Sequence, residues 1–201
     1  PSRNAGSSNV LFTTPAPLDI YTLQRSFEPS GGIDGKTILF VGDLARGRTV
    51  RSLASLLTHY RDVTLIFSAP EPLQIRRDVL DMLDAAGVNW ETSDRFKALI
   101  PRADAIYVTR VQDEWDTEKG ESSRIDISAY CFNASDLDAL KPEAILMHPF
   151  PRRCEIDVAV DRDPRAMYWR QMRNGMWIRA ALLAEIFEAD ESIASYHADH
   201  V

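Results

Sequence analysis

The stretch Phe40-Val41-Gly42-Asp43-Leu44-Ala45-Arg46-Gly47-Arg48-Thr49-Val50-Arg51-Ser52-Leu53 decides the fold. The apolar run Thr37-Ile38-Leu39-Phe40-Val41 that opens it reads as a buried strand, and Val50, Leu53, Ala54, Leu57 and Tyr60 recur as one face of a helix. A strand that delivers a tight, glycine-bounded turn to a helix N-terminus aims unpaired N–H groups and the positive end of the helix dipole at one point. Arg48 and Thr49 stand at that point, so the turn predicts an anion site.

Outward from this unit the pattern repeats. Asp62-Val63-Thr64-Leu65-Ile66-Phe67-Ser68 predicts a second buried strand, followed by a helix carrying Ile75, Val79, Met82, Leu83 and Ala86 and stopping at Gly87. A weaker strand is expected over 88–92, then a short helix capped by Ser93 or Asp94 and carrying Phe96, Leu99 and Ile100. Ala105-Ile106-Tyr107-Val108 and Ala144-Ile145-Leu146-Met147 complete five strands. Upstream, Ile20, Leu23 and Phe27 share a helical face that begins at Pro17, and Pro29-Ser30-Gly31-Gly32 breaks it. Strands alternating with amphipathic helices predict a three-layer, doubly wound α/β domain with a central parallel sheet, Rossmann-like, its five strands flanked by helices. The expected divisions are an irregular segment over 1–16, the α/β domain over 17–188 and a loose polar tail over 189–201. The charged stretch 113–127 reads as an exposed mobile loop, and 174–187 as a helix apolar on two faces that needs partners on both sides.

Composition narrows the classes of function. The 201-residue chain carries a net charge of −7 with no basic stripe, which argues against nucleic acid and anionic membranes, and no apolar run approaches the ~20 residues of a membrane span. Cys131 and Cys154 lie in different contexts and fit a reduced cytoplasm better than a disulfide framework. A start at Pro1 without a signal-like segment is expected of a processed or trimmed product. His197 and His200 have helical metal-ligand spacing but lack a third ligand, so neither a metal nor a cofactor is expected.

In a parallel sheet ligands sit beyond the carboxyl ends of the strands. That rule selects Gly42–Thr49, Thr109-Arg110-Val111-Gln112 and His148-Pro149-Phe150-Pro151-Arg152. The first differs from a nucleotide phosphate loop by Arg48 in place of Lys, and a planar fork does not copy a compact ammonium. Arg110 and Gln112 face the same way in an extended segment and offer a cationic fork beside an amide, which suits a carboxylate next to an amine. The alternative is Arg110 paired with a carboxylate of the following loop. Alternating prolines after the fifth strand fix a turn, with one X-Pro bond open to the cis form, and His148 is either a site residue, weakly a catalytic one, or a core histidine with a satisfied ring.

These segments, in this order, closely resemble the aspartate-binding half of aspartate carbamoyltransferase catalytic chains. The matching residues are Val41-Gly42-Asp43-Leu44, Gly47-Arg48-Thr49-Val50, Thr109-Arg110-Val111-Gln112, Met147-His148-Pro149, Pro151-Arg152 and Glu155-Ile156, continuing through Asp163-Pro164-Arg165-Ala166, Arg170-Gln171, Asn174-Gly175-Met176 and Ile178-Arg179. The resemblance runs from about residue 17 to 187. A His-Pro-x-Pro-Arg turn points to aspartate, since the ornithine-using relatives carry a Cys-Leu-Pro type turn. It implies that Arg48, Arg110 and Gln112 hold the aspartate carboxylates, that Thr49 lines the same pocket, and that the carbonyls of Pro149, Phe150 and Pro151 orient the amine and the carbamoyl group. The implied activity is the aspartate half of carbamoyl transfer in pyrimidine biosynthesis.

The sequence also departs from the family pattern. No Ser-Thr-Arg-Thr phosphate site occurs in the 201 residues, and Phe12 and Pro15 fall where the family places a His and a Gln. Asp113 and Trp115 replace basic residues. The expectation is a chain inactive alone that binds aspartate or a similar dicarboxylate, as a homo-oligomer or with a partner chain covering the 17–27 and 174–187 helices. The alternative is a non-catalytic assembly or regulatory subunit that uses the domain for protein contacts or amino-acid sensing.

Overall fold

β1 (Thr37–Val41) is buried beyond its first residue, because its alternating side chains enter two separate cores. Phe40 stacks on Phe67 with ring centroids 5.2 Å apart and meets Tyr107 at 5.7 Å on one face of the sheet. Leu39 and Val41 join Ile66, Ile106 and Val108 on the other. The computed structural model describes residues 15–118 and 120–200. Its sheet has the order β3-β2-β1-β4-β5 and is parallel throughout, with β2 (Thr64–Ser68), β3 (Asn89–Ser93), β4 (Ala105–Val108) and β5 (Ile145–Met147). Chain order reverses between β1 and β4, and that is where a doubly wound sheet opens its ligand crevice.

Helices α1 (Pro15–Phe27), α2 (Arg48–Leu57), α3 (Arg77–Ala86) and α4 (Phe96–Leu99) cover the sheet with α5 (Tyr168–Ile186), and α6 (Asp190–His200) follows. α3 ends as expected on left-handed Gly87, φ +69°. Neither Ser93 nor Asp94 caps the short helix as expected: its N-cap is Arg95, with no side-chain cap bond, and the Ser93 Oγ accepts from the Arg95 N–H at 3.0 Å in the turn before it. α1 and α5 approach closely at Gly175, where an added Cβ would lie 3.3 Å from Leu18, and Asn174 donates to the Thr22 hydroxyl at 2.9 Å.

Several expectations need correction. The first helix begins at Pro15, two residues before Pro17, and β3 is displaced by one residue. The last long helix starts at Tyr168 instead of 174, because Tyr168 and Gln171 are buried and anchor an extra turn and a half. The tail is helical over 190–200, a polar helix whose composition hides its period. The stretch 113–127 is built from tight 3-10 turns at Asp113–Trp115 and Ser122–Arg124 rather than loose. Arg46 pins it by donating to Asp116 at 2.9 Å and to the Ser122 hydroxyl at 2.8 Å. The expectations on Phe12 and on residues 1–14 lie outside the described residues. Among the described residues no helix is long and apolar enough to cross a membrane.

Candidate functional site

The loops after β1 and β4 touch at Gly42. Its φ is +110°, and a Cβ there would stand 2.1 Å from the Thr109 carbonyl oxygen, so only glycine lets the two strand ends converge. Thr109 Oγ1 donates to the carbonyls of Val41 at 3.1 Å and Asp43 at 3.3 Å. Buried Asp43 then joins the loops, accepting from the backbone N–H groups of Arg46 at 3.1 Å and Gln112 at 3.0 Å. Burial raises its pKa, and those two donors partly offset the shift. Sequence reasoning gave Asp43 no role, although an acid between a strand-end Gly and a helix is a signal for such a bridge.

A cavity of about 630 Å³ opens above this junction. Arg48 and Thr49 at the start of α2, Arg110 and Gln112 after β4, and His148, Pro149 and Phe150 after β5 all line it. The three rim segments selected from sequence therefore meet at one place. Pro151 does not line the cavity and is exposed, following Phe150 through a cis bond.

Arg110 takes both of its expected roles, lining the cavity while its guanidinium forms a two-point pair with Glu114, one contact being Nη1 to Oε2 at 2.8 Å. The pairing raises the Arg110 pKa and lowers that of Glu114. Arg153 makes a second two-point pair, with Asp113 at 2.9 and 3.0 Å, and ties the 113–115 turn to the segment after β5. Arg48 lies over the Trp115 ring at 5.7 Å.

Beneath the cavity a buried polar chain runs from α1 to the His148 turn. Tyr107, whose phenol lies beside the Thr49 hydroxyl, donates to Asp19 Oδ2 at 2.7 Å, and Gln171 donates to Asp19 Oδ1 at 2.6 Å. Gln171 Oε1 in turn accepts the His148 N–H at 2.8 Å. Burial pushes Asp19 up to about 7 against the pull of its two donors, and burial with the neighbouring Asp19 charge raises Tyr107 well above its ordinary value.

His148 is the histidine with a satisfied ring. Nδ1 accepts from the Phe150 N–H at 2.9 Å, which assigns the proton to Nε2, and Nε2 lies 2.7 Å from Glu155. Burial alone would raise Glu155, but the bonds from His148 and from the Arg153 backbone bring it below its ordinary value. With both nitrogens used inside the turn, His148 shapes the rim and offers no proton to a ligand. Asp19, Glu114, Trp115, Gln171 and Arg179 also line the cavity and were assigned no site role from sequence. The one available signal was a polar residue within an apolar pattern, Asp19 beside Ile20 and Leu23.

Two guanidinium groups, an amide and an arginine from α5 converge over a buried acid, an arrangement suited to holding a small dicarboxylate with an amine. Among the described residues no group of three or more His, Cys, Asp or Glu side chains is gathered as a metal site requires. Residues 34–186 match the aspartate/ornithine carbamoyltransferase Asp/Orn binding domain. The chain is 42% identical over 183 residues to the chloroplastic aspartate carbamoyltransferase of Arabidopsis thaliana, covering 91% of this chain and 46% of that protein. It is 38% identical over 184 residues to the aspartate carbamoyltransferase catalytic subunit of Aliivibrio salmonicida, covering 92% and 58%. The aspartate transcarbamoylase of Trypanosoma cruzi solved with aspartate and phosphate superposes with a TM-score of 0.74 at 35% identity, over 90% of this chain and 55% of that one. The chain thus spans about half the length of the relatives it matches.

Proposed function

The chain belongs to the aspartate/ornithine carbamoyltransferase family, and from that premise we propose that its cavity binds L-aspartate as the aspartate half of a carbamoyl transfer in pyrimidine biosynthesis. The observation that carries the reading is the meeting of Arg48, Arg110 and Gln112 with the Pro149-Phe150 segment around one cavity at the switch point of the sheet. Arg48 and Arg110 take the two carboxylates, Arg110 exchanging the Glu114 carboxylate for that of the ligand. Gln112 accepts or donates beside them, and the carbonyls of Pro149 and Phe150, the two residues of that turn that line the cavity, receive the amine.

In the full reaction the amine nitrogen forms a bond to the carbonyl carbon of carbamoyl phosphate, the carbon–oxygen bond to phosphate breaks, phosphate leaves and the nitrogen loses a proton. The cavity groups named above position the amine, which is a large share of the acceleration in a two-substrate reaction. Donors to the developing oxyanion and a cradle for the phosphate are needed as well. In this reading they come from another segment or subunit, and the 201 residues alone transfer no carbamoyl group. Calorimetry with aspartate, succinate and carbamoyl phosphate tests the reading, with heat expected for the first two. Carbamoyl aspartate formed by the isolated chain would overturn the claim of inactivity, and failure to bind either dicarboxylate would overturn the site.

A second reading, a non-catalytic assembly or regulatory subunit, is favoured by the exposure of Trp169, Met172, Met176 and Trp177 along α5 beside the cavity. Both readings place the chain in an oligomer or against a partner. Cys131 and Cys154 are free thiols, which supports a reducing compartment such as the cytoplasm.

A further inference from the structure

We propose that Trp115 is a positioning residue of the carboxylate site, holding the Arg48 guanidinium at the cavity wall through a cation–π contact. The inference rests on the function proposed above and adds a residue that the family resemblance marks only as a departure. Three observations support it.

The Arg48 guanidinium carbon lies 5.7 Å from the centroid of the Trp115 ring, within the reach of such an attraction. Both residues border the candidate site and also a second cavity of about 670 Å³ on the other side, where Arg46, Arg51 and Arg76 gather. Arg48 and Trp115 thus stand together on the partition between the two spaces, and the face of the ring bears on the side of that partition from which the guanidinium is presented. Finally, Trp115 is 54% exposed, so it contributes little to a core, yet its turn is anchored at every residue. Asp113 is paired with Arg153, Glu114 with Arg110, and the Trp115 N–H donates to the Gln112 carbonyl at 3.1 Å.

A guanidinium lying over a ring keeps N–H groups directed away from that ring, available to a carboxylate. Holding it there before binding reduces the rotamer freedom lost when the ligand arrives. A cation–π contact at a partly exposed site is worth about three- to thirty-fold in affinity.

The test is calorimetric titration of the 201-residue chain with succinate, using wild type, Trp115→Phe and Trp115→Leu, with Arg110→Ala as the control for the site. Phenylalanine keeps a π face, whereas leucine keeps apolar cover without one. Succinate affinity is expected to fall about three- to thirty-fold in Trp115→Leu and to stay within about threefold of wild type in Trp115→Phe. In ligand-free protein the Arg48 Nε–H resonance should carry an upfield ring-current shift that Trp115→Leu removes and Trp115→Phe partly retains. Leucine binding as tightly as wild type, or an Arg48 resonance indifferent to both substitutions, overturns the inference and leaves the proposed function standing. No succinate uptake by wild type overturns the proposed function and this inference with it, and the wild-type arm alone reports that outcome.

Discussion

A methyl group on Gly42 has nowhere to go, since it would meet the Thr109 carbonyl oxygen at 2.1 Å in a backbone conformation that side chains rarely adopt. Gly42→Ala should therefore lose about 3 kcal/mol, some 6–12 °C in Tm, and calorimetric melting checks it. Asp19 makes a different prediction at the same scale. Its native pKa of about 7 lies above the unfolded value, so the native state keeps a proton that the unfolded chain releases above about pH 4. Stability should fall as pH rises from about 4 to 7 and level off beyond. Asp19→Asn removes this component and flattens that part of the Tm–pH curve, and parallel curves for variant and wild type would contradict the assignment. The residues legible in the sequence, Arg48, Arg110 and Gln112, were those at strand ends where topology alone dictates a ligand rim. Asp19 and Gln171 were not, because their bond joins α1 to α5 across most of the chain.

At the scale of elements, the strands were readable because burial on both faces demands continuous apolar runs, as in Thr37–Val41. The 113–127 stretch was not, since its order derives from Arg46 and Arg153, ion-pair and hydrogen-bond partners that no local period encodes. α6 was hidden for want of a period, being a helix with five acidic or histidine residues and little apolar patterning over Asp190–His200. Because the Arg153–Asp113 pair is about half exposed on both sides, solvent screens it and it adds little to global stability. Arg153→Ala should leave Tm within about 3 °C of wild type while amide exchange across 113–118 becomes faster. A calorimetric melt checks the Tm and hydrogen-exchange mass spectrometry the exchange, and unchanged exchange would show that Arg46 alone orders the turn.

The whole molecule carries a surface that its own core does not use. Trp169, Met172, Met176, Trp177, Leu183, Ile186 and Phe187 are all exposed along and just beyond α5. Under the proposed reading this surface is covered in the working protein, so light scattering at rising concentration should give masses above the 22.7 kDa of one chain. Trp177→Glu combined with Met176→Glu should return it to a monomer, and a wild-type monomer at all concentrations would count against an interface there. The junction at the switch point has one more consequence, and it concerns time. Arg48 and Arg110 are brought together only when β1 and β4 pair, Ile38 against Ala105, a contact between distant parts of the chain. Loop closure of that kind is slow, and if the loops above the paired strands organise after the folding barrier, a bound dicarboxylate lengthens the lifetime of the native state by slowing unfolding while the rate of folding stays as it was.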